Sequence, residues 1–342
     1  MVASPKLFLV FKPWLPLKPQ LSILRLLESF TAWAKKALDL GPQGIMFPVI
    51  DDPDLAKKSL PTTPLTTPHF SKQKVTHKTT MASSATPQTL KARLSKANEE
   101  PLYGLFLVSF SPTLAEIAGH AGYDFVVIDM EHGHGGISDA LPCLQALAAT
   151  QTPAILRIPE SSAAWVKKAL DLGPQGLMIP MIDDPELAKN AVSYCRYPPN
   201  GVRGAAFNVV RASKYGIDEE YIDKCEKELL IMCQVESKEA VKNVKDIAAV
   251  EGVDCVMIGP LDLSVSMGWL REPVNDKVKE VMRVTEKAVL DSENKPYLAG
   301  FAMPNDGPDE LKRRGYHMVC GNVDVALFKS AAVEDVKKFK MN

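Results

Sequence analysis

Acidic, basic and imidazole side chains stand at the downstream ends of short apolar runs in this 342-residue chain. The run FVVID leads into MEHGHG and delivers Asp129, Glu131, His132 and His134. AILR ends on Arg157, LLIMCQV delivers Gln234 and then Glu236, and CVMIGP is followed by Asp262 and Ser264. A charge at the edge of a buried strand is costly unless it is paired or liganded. Two carboxylates from adjacent strands suit a hard divalent cation, which takes oxygen ligands and keeps positions for water or substrate oxygens. With an arginine alongside, such a cation polarises a carbonyl oxygen and holds developing enolate charge, while a histidine moves the proton. The spacing predicts metal-assisted chemistry at the carbon α to a carbonyl. Each group also has a plainer reading: a solvated loop charge, a satisfied structural imidazole for His132, a mere loop residue for His134. There is no His-rich or Cys-rich ligand set, which disfavours structural zinc.

These groups share one rim only if the apolar runs are parallel strands. Eight such runs occur: Gly104–Phe110, Phe125–Asp129, Ala154–Ile158, Gly176–Ile182, Leu229–Val235, Cys255–Gly259, Leu298–Ala302 and His317–Gly321. Helix-like segments alternate with them, among them Leu114–Ala121, Ile137–Ala149, Ala163–Leu172, Pro185–Tyr194, Lys238–Val250 and Asp276–Asp291. Alternation of this kind requires right-handed crossovers and a parallel sheet. Eight units over this length predict a (β/α)8 barrel of the α/β class, whose reactive groups lie at the C-terminal strand ends. No Gly-x-Gly-x-x-Gly follows the first strand, so a doubly wound dinucleotide-binding sheet lacks its fingerprint.

Composition narrows the classes further. Hydrophobic residues make up 46% and charged residues 24%, which are globular values. Lys and Arg number 40 against 41 Asp and Glu, for a net charge of −1, so no nucleic-acid partner is expected. No run is long enough for a membrane span. The six cysteines form no Cys-x-x-Cys pair, and a chain of this size needs no disulfide staples. A cytoplasmic enzyme is expected, or an organellar one if residues 1–80 act as a transit peptide.

The N-terminal region carries a copy. Residues 32–58 match residues 164–190 at 21 of 27 positions, with unrelated sequence between them. One strand with parts of two helices cannot bury a core alone. The copy reads as a duplicated exon or a gene-model artefact, the sharper alternative being a regulatory element that competes for the second copy's place. No acidic residue occurs from Ala56 to Asn98, and Ser59 to Pro87 is rich in Ser, Thr, Pro and Lys, a composition that cannot offset its ordering entropy. Residues 1–85 are therefore expected to be a disordered or loosely docked extension, and residues 86–342 the barrel domain. Met81 opens MASSATPQTL, which looks like an ordinary protein start.

Taken together, FVVIDMEHGHG, ILRIP, ALDLGPQGLMIPMI, YPPNGVRGAAFNVVRAS, CQVESKEAVKNV and VEGVDCVMIGPLDLSVSMG resemble the HpcH/HpaI aldolase family from about Leu102 to Phe339. The resemblance implies a (β/α)8 barrel, usually hexameric. It implies reversible cleavage of a 4-hydroxy-2-oxo acid to pyruvate and an aldehyde, with Mg2+, Mn2+ or Co2+. Carried over by motif, Glu236 and Asp262 resemble metal ligands, Arg157 the residue that binds the ketone oxygen and stabilises the enolate, and His132 the acid–base histidine. Gln234 resembles a substrate contact, and Gly259, Pro260, Leu261 and Asp262 the cradle of the substrate carboxylate. Asp171 matches an aspartate that pairs with the histidine. A helix after the third strand ends at the opposite rim, so Asp171 serves either a neighbouring subunit's site or a structural role. Phe106 stands where many members have Trp. The alternatives are a citryl- or malyl-CoA-type lyase and a non-catalytic barrel scaffold.

Overall fold

The computed structural model describes residues 23–25, 44–46, 88–96, 100–272 and 275–341. The chain divides into a unit of residues 1–81 and a unit of residues 82–342. In the first, Ile23–Arg25 and Gly44–Met46 pair as parallel strands, Ile23 opposite Gly44. Gly44–Met46 belongs to the copied slice, and its counterpart Gly176–Met178 is also strand. The rest of that slice lies outside the described residues, as does the expectation of disorder or loose docking.

The second unit is a closed barrel of eight parallel strands. They are β1 Leu102–Leu107, β2 Phe125–Asp129, β3 Ala154–Arg157, β4 Gly176–Ile179, β5 Leu230–Val235, β6 Cys255–Ile258, β7 Tyr297–Phe301 and β8 Met318–Val323. β8 closes onto β1 with Met318 opposite Leu102. Expectation and structure agree on all eight strands, with shifted ends. β4 stops at Ile179 rather than Ile182 because Pro180 has no N–H for the ladder and Met181 takes a left-handed backbone, φ +53°.

Period-two alternation sorts the strand residues into two cores. Residues facing outward pack against the helical ring in one large cluster that includes Val126, Leu156, Ile231 and Val256. Those facing inward, including Phe106, Phe125, Val127, Ile155, Met178, Met232 and Met257, fill the barrel. Phe125 fits because Gly104 stands opposite; a Cβ there would come within 2.3 Å of its ring. The same alternation puts Asp129, two residues beyond Val127, at the top of the interior.

The bottom of the barrel is closed by a helix absent from the sequence-based expectation, α1 Leu90–Leu94, capped by Thr89. Leu90 and Leu94 are fully buried in the interior cluster. The Leu90 N–H donates to Gln175 Oε1 at 2.7 Å, and Lys91 Nζ lies 2.6 Å from Asp254, so α1 is tied to residues that precede β4 and β6. The outer helices follow: α2 Pro112–Ala121, α3 Ile137–Ala149, α4 Ala163–Asp171, α5 Pro185–Cys195, α6 Tyr221–Glu228 and α7 Lys238–Ala248. Then come a short α8 Pro260–Ser266, α9 Asp276–Leu290, α10 Pro308–Arg313 and the terminal α11 Asp324–Lys340. Side-chain caps at Ser111, Ser162, Asp184 and Ser237 start four of them. Among the described residues no helix is long and apolar enough to cross a membrane.

Candidate active site

Asp129 ends β2 and Arg157 ends β3, and the two are register partners. Arg157 Nε donates to Asp129 Oδ1 at 2.8 Å and Nη2 donates to Oδ2 at 2.6 Å, a bidentate fork. Asp129 is 1% exposed and Arg157 is 7% exposed, so the pair is buried. Burial alone would lower the Arg157 pKa; the Asp129 hydrogen bonds and the charges of Asp129, Glu131 and Glu236 outweigh it and raise it. The cation is fixed and permanently charged. Its third nitrogen, Nη1, lies 2.8 Å from Glu131 Oε2 and 3.5 Å from Gln234 Oε1. The Glu131 contact is a charge pair rather than an aligned hydrogen bond, because Oε2 finds no hydrogen-bond partner. Phe106 lies against the guanidinium, 5.0 Å from ring centre to Cζ.

Gln234 points inward from β5 and its Nε2 donates to Glu236 Oε2 at 3.0 Å. The Met181 N–H donates to Glu236 Oε1 at 2.9 Å. Burial pushes the Glu236 carboxyl up to about 7; the Met181 N–H opposes this, and the nearby Glu131 and Asp262 charges add to it. Glu131 is raised as well, first by burial. Gly259, between β6 and α8, leaves the space that Glu236 occupies: a Cβ there would meet Glu236 Oε2 at 2.5 Å.

A cavity of about 270 Å3 opens among Asp129, His132, Arg157, Gln234, Glu236 and the stretch Gly259–Asp262. The ends of four strands, β2, β3, β5 and β6, thus supply the groups singled out in the sequence. His132 and Asp262 stand at the exposed rim. The His132 N–H donates to Asp129 Oδ1 at 3.3 Å, which fixes the loop that carries the imidazole. Three carboxylates, of Asp129, Glu131 and Glu236, act on the single guanidinium of Arg157, and Asp129 occupies two of its nitrogens. Among the described residues no three His, Cys, Asp or Glu side chains form a metal-holding group. The donor set that faces the cavity is two carboxylates, Glu236 and Asp262, with room beside them. That set fits a magnesium-like cation, which is commonly held by one or two carboxylates and otherwise by water and substrate oxygens.

Other expected residues lie elsewhere. Asp171 ends α4 on the opposite side of the barrel, 3.4 Å from Arg203 Nη2, and does not meet His132 within the subunit. Arg203 lines a separate cavity with Gln175 and Leu229, which precede β4 and β5. Ser264 is fully buried and its hydroxyl donates to the Trp269 carbonyl, so it does not face the cavity. His134 lies edge-on to Phe110 in the loop. The sequence leaves two roles unassigned: Asp129, singled out at the end of its strand, clamps Arg157, and the Met181 amide holds Glu236. Nothing local marks an amide of Met181, which reaches Glu236 only through the barrel's closure.

Comparison with known proteins identifies the family. A family model described as HpcH/HpaI aldolase/citrate lyase matches residues 102–331. A 2-keto-3-deoxy-L-rhamnonate aldolase of Escherichia coli K12 is 39% identical over 251 residues, covering 73% of this chain and 92% of that protein. An HpcH/HpaI aldolase/citrate lyase family protein from Burkholderia cenocepacia superposes with a TM-score of 0.68 at 32% identity, covering 73% of this chain and 99% of the other. An HpcH/HpaI aldolase from Desulfitobacterium hafniense gives a TM-score of 0.66 at 27% identity, covering 74% and 96%. The chain belongs to the HpcH/HpaI aldolase/citrate lyase family, and it is a carbon–carbon lyase of that family.

Proposed function

We propose that this lyase cleaves a 4-hydroxy-2-oxo acid to pyruvate and an aldehyde, with a divalent cation at Glu236 and Asp262. The observation that carries the proposal is the clamped cation: Arg157, locked by Asp129 at 2.6 and 2.8 Å, lies in the same cavity as the two carboxylates. A fixed guanidinium beside a ketone oxygen stabilises charge where it develops and needs no reorganisation during the reaction. Mg2+, Mn2+ or Co2+ held by Glu236 and Asp262 would add positive charge at the ketone end of the substrate.

The remaining roles follow from position. The substrate carboxylate sits against the turn Gly259–Asp262, whose amides at Leu261 and Asp262 open α8. Gln234 contacts the 2-oxo acid and keeps Glu236 oriented. His132, at the exposed rim, takes the proton of the C4 hydroxyl. The C3–C4 bond then breaks, its electron pair passing to the enolate while the C4 oxygen becomes the aldehyde carbonyl. A proton returned to C3 yields pyruvate. The named rhamnonate aldolase relative supports a 2-oxo acid substrate of this type.

The assembly proposed is a homo-oligomer, a hexamer by family resemblance. α11 carries a broad apolar face with no partner among the described residues: Phe328 is 73% exposed and Phe339 83%, beside Val325, Leu327 and Val336. Such a face marks a protein interface. In an assembly Asp171 would meet a neighbour's His132 rather than its own. The compartment proposed is the cytoplasm, in keeping with six unpaired thiols.

Arg157→Lys tests the central role. A point charge does not reproduce the planar fork, so kcat for pyruvate formation should fall by about 100-fold or more while KM changes little. A variant altered only in KM would make Arg157 a binding residue and remove the enolate assignment.

A further inference from the structure

The N-terminal copy begins earlier than residue 32. At the same offset, Ile23, Leu24 and Arg25 repeat Ile155, Leu156 and Arg157, and Glu28 and Ser29 repeat Glu160 and Ser161. The copied stretch therefore runs through the sequence of β3, α4 and β4, and Arg25 is the counterpart of Arg157. The strand pairing repeats with it. Ile23, Leu24 and Arg25 stand opposite Gly44, Ile45 and Met46 in a parallel pair. In the barrel Ile155, Leu156 and Arg157 stand opposite Gly176, Leu177 and Met178, in the same register.

Within the barrel β3 and β4 are also paired outward, β3 to β2 and β4 to β5. Among the described residues the N-terminal strands form a sheet of two, and their outer edges have no strand partner. A two-stranded sheet is marginal by itself, and unpaired edges accept further strands. The edges that complement this pair are those of β2 and β5. Ile155 and Met178, fully buried inside the barrel, have identical counterparts in Ile23 and Met46.

We propose that residues 23–47 are a spare β3–α4–β4 segment, able to take the place of residues 155–179 in the barrel and to supply Arg25 where Arg157 stands. The role of Arg25 rests on the aldolase reading; the exchange itself does not. The 31 residues from 59 to 89 permit it. Extended, they reach about 100 Å, against roughly 20 Å for a six-residue strand, so α1 can stay in place. Three replacements keep the spare in reserve. Ala34 stands for the fully buried Val166 and would leave a void, and Phe47 stands for the fully buried Ile179 and would overfill its place. Val49 stands for Met181, whose left-handed backbone strains a β-branched residue. The resident segment therefore holds the barrel of the intact chain, and the spare enters when the resident is damaged.

The test disables the resident β4. Leu177 is paired on both sides, to Leu156 and Ile231, so Leu177→Pro breaks the ladder. In a chain beginning at Met81 this substitution should abolish both cooperative thermal unfolding and pyruvate formation. In the full chain it should leave a cooperative transition, with pyruvate formation about tenfold or more above that of the short variant. Adding Arg25→Ala to the full-length variant should keep the transition and remove the activity. Ala34→Val, Phe47→Ile and Val49→Met together match the spare to the resident and should raise the folded fraction of the Leu177→Pro chain several-fold. A full-length Leu177→Pro chain as unfolded as the short one, with and without these three repairs, would overturn the proposal. So would a short variant that folds as well as the full-length one. Activity that survives Arg25→Ala would overturn the part given to Arg25. The unfolding transition needs no turnover, so a wild-type chain that forms no pyruvate would remove the aldolase reading and leave the exchange standing on its own result.

Discussion

The Met181 N–H holds Glu236 Oε1 at 2.9 Å from a backbone that a non-glycine residue seldom adopts, φ +53°. The left-handed conformation costs an L-residue roughly 1–2 kcal/mol. The Met181 side chain is 49% exposed, so little packing depends on it. Met181→Gly should therefore be more stable than Met181→Ala by about 1 kcal/mol, since alanine keeps the strain and glycine relieves it, less the entropy glycine adds to the unfolded chain. Urea midpoints of the two variants check this; an alanine variant equal to or above glycine would mean the strain is not felt.

Metal binding should depend on both proposed ligands. Glu236→Gln and Asp262→Asn are each expected to weaken Mn2+ affinity by about 100-fold or more, read by calorimetry or by Mn2+ paramagnetic resonance without turnover. Gly259→Ala should weaken it too, because the new Cβ would fall 2.5 Å from Glu236 Oε2 and push the carboxylate aside. Wild-type affinity in either acid variant would exclude that residue as a ligand.

The α1 plug sets where the N-terminus can be trimmed. Leu90 and Leu94 are fully buried inside the lower barrel. Leu94→Ala should cost roughly 2–5 kcal/mol of stability. A chain beginning at Met81 retains the plug and should unfold like the full chain with the same pyruvate-forming rate. One beginning at Asn98 lacks it and should unfold at markedly lower temperature. Loss of solubility or activity in the Met81 chain would give residues 1–80 a structural role.

His317 should make the fold acid-sensitive. Its Nδ1 accepts the Leu298 N–H at 3.0 Å, and burial lowers its pKa. The folded state thus binds a proton less readily than the unfolded chain. The stability this contributes is present above the ordinary histidine value of about 6.5 and is lost as pH falls through and below it. His317→Asn keeps an acceptor without a titrating ring, so its stability should fall less between pH 7 and 5 than wild type. Parallel pH profiles of the two would remove His317 as the source.

The amino-acid sequence by itself determined the barrel. Eight apolar runs alternating with helical segments leave few topologies, and the rule that reactive groups sit at C-terminal strand ends picked out nine residues, of which His132, Arg157, Gln234, Glu236 and Asp262 match the family's motifs. These five line one cavity because period-two alternation and strand direction are local properties. Tertiary structure alone decided the rest. The fork between Asp129 and Arg157 depends on the β2–β3 register, and the grip on Glu236 depends on β4 ending beside β5 at Met181. Ser264 follows the same strand end as Asp262 yet turns into the core, because α8 inserts a helical turn there that rotates the two side chains apart. The plug at Leu90 and Leu94 is only five residues long, too short for a periodic signal; it gains its stability by filling a hole that exists only once the barrel has closed.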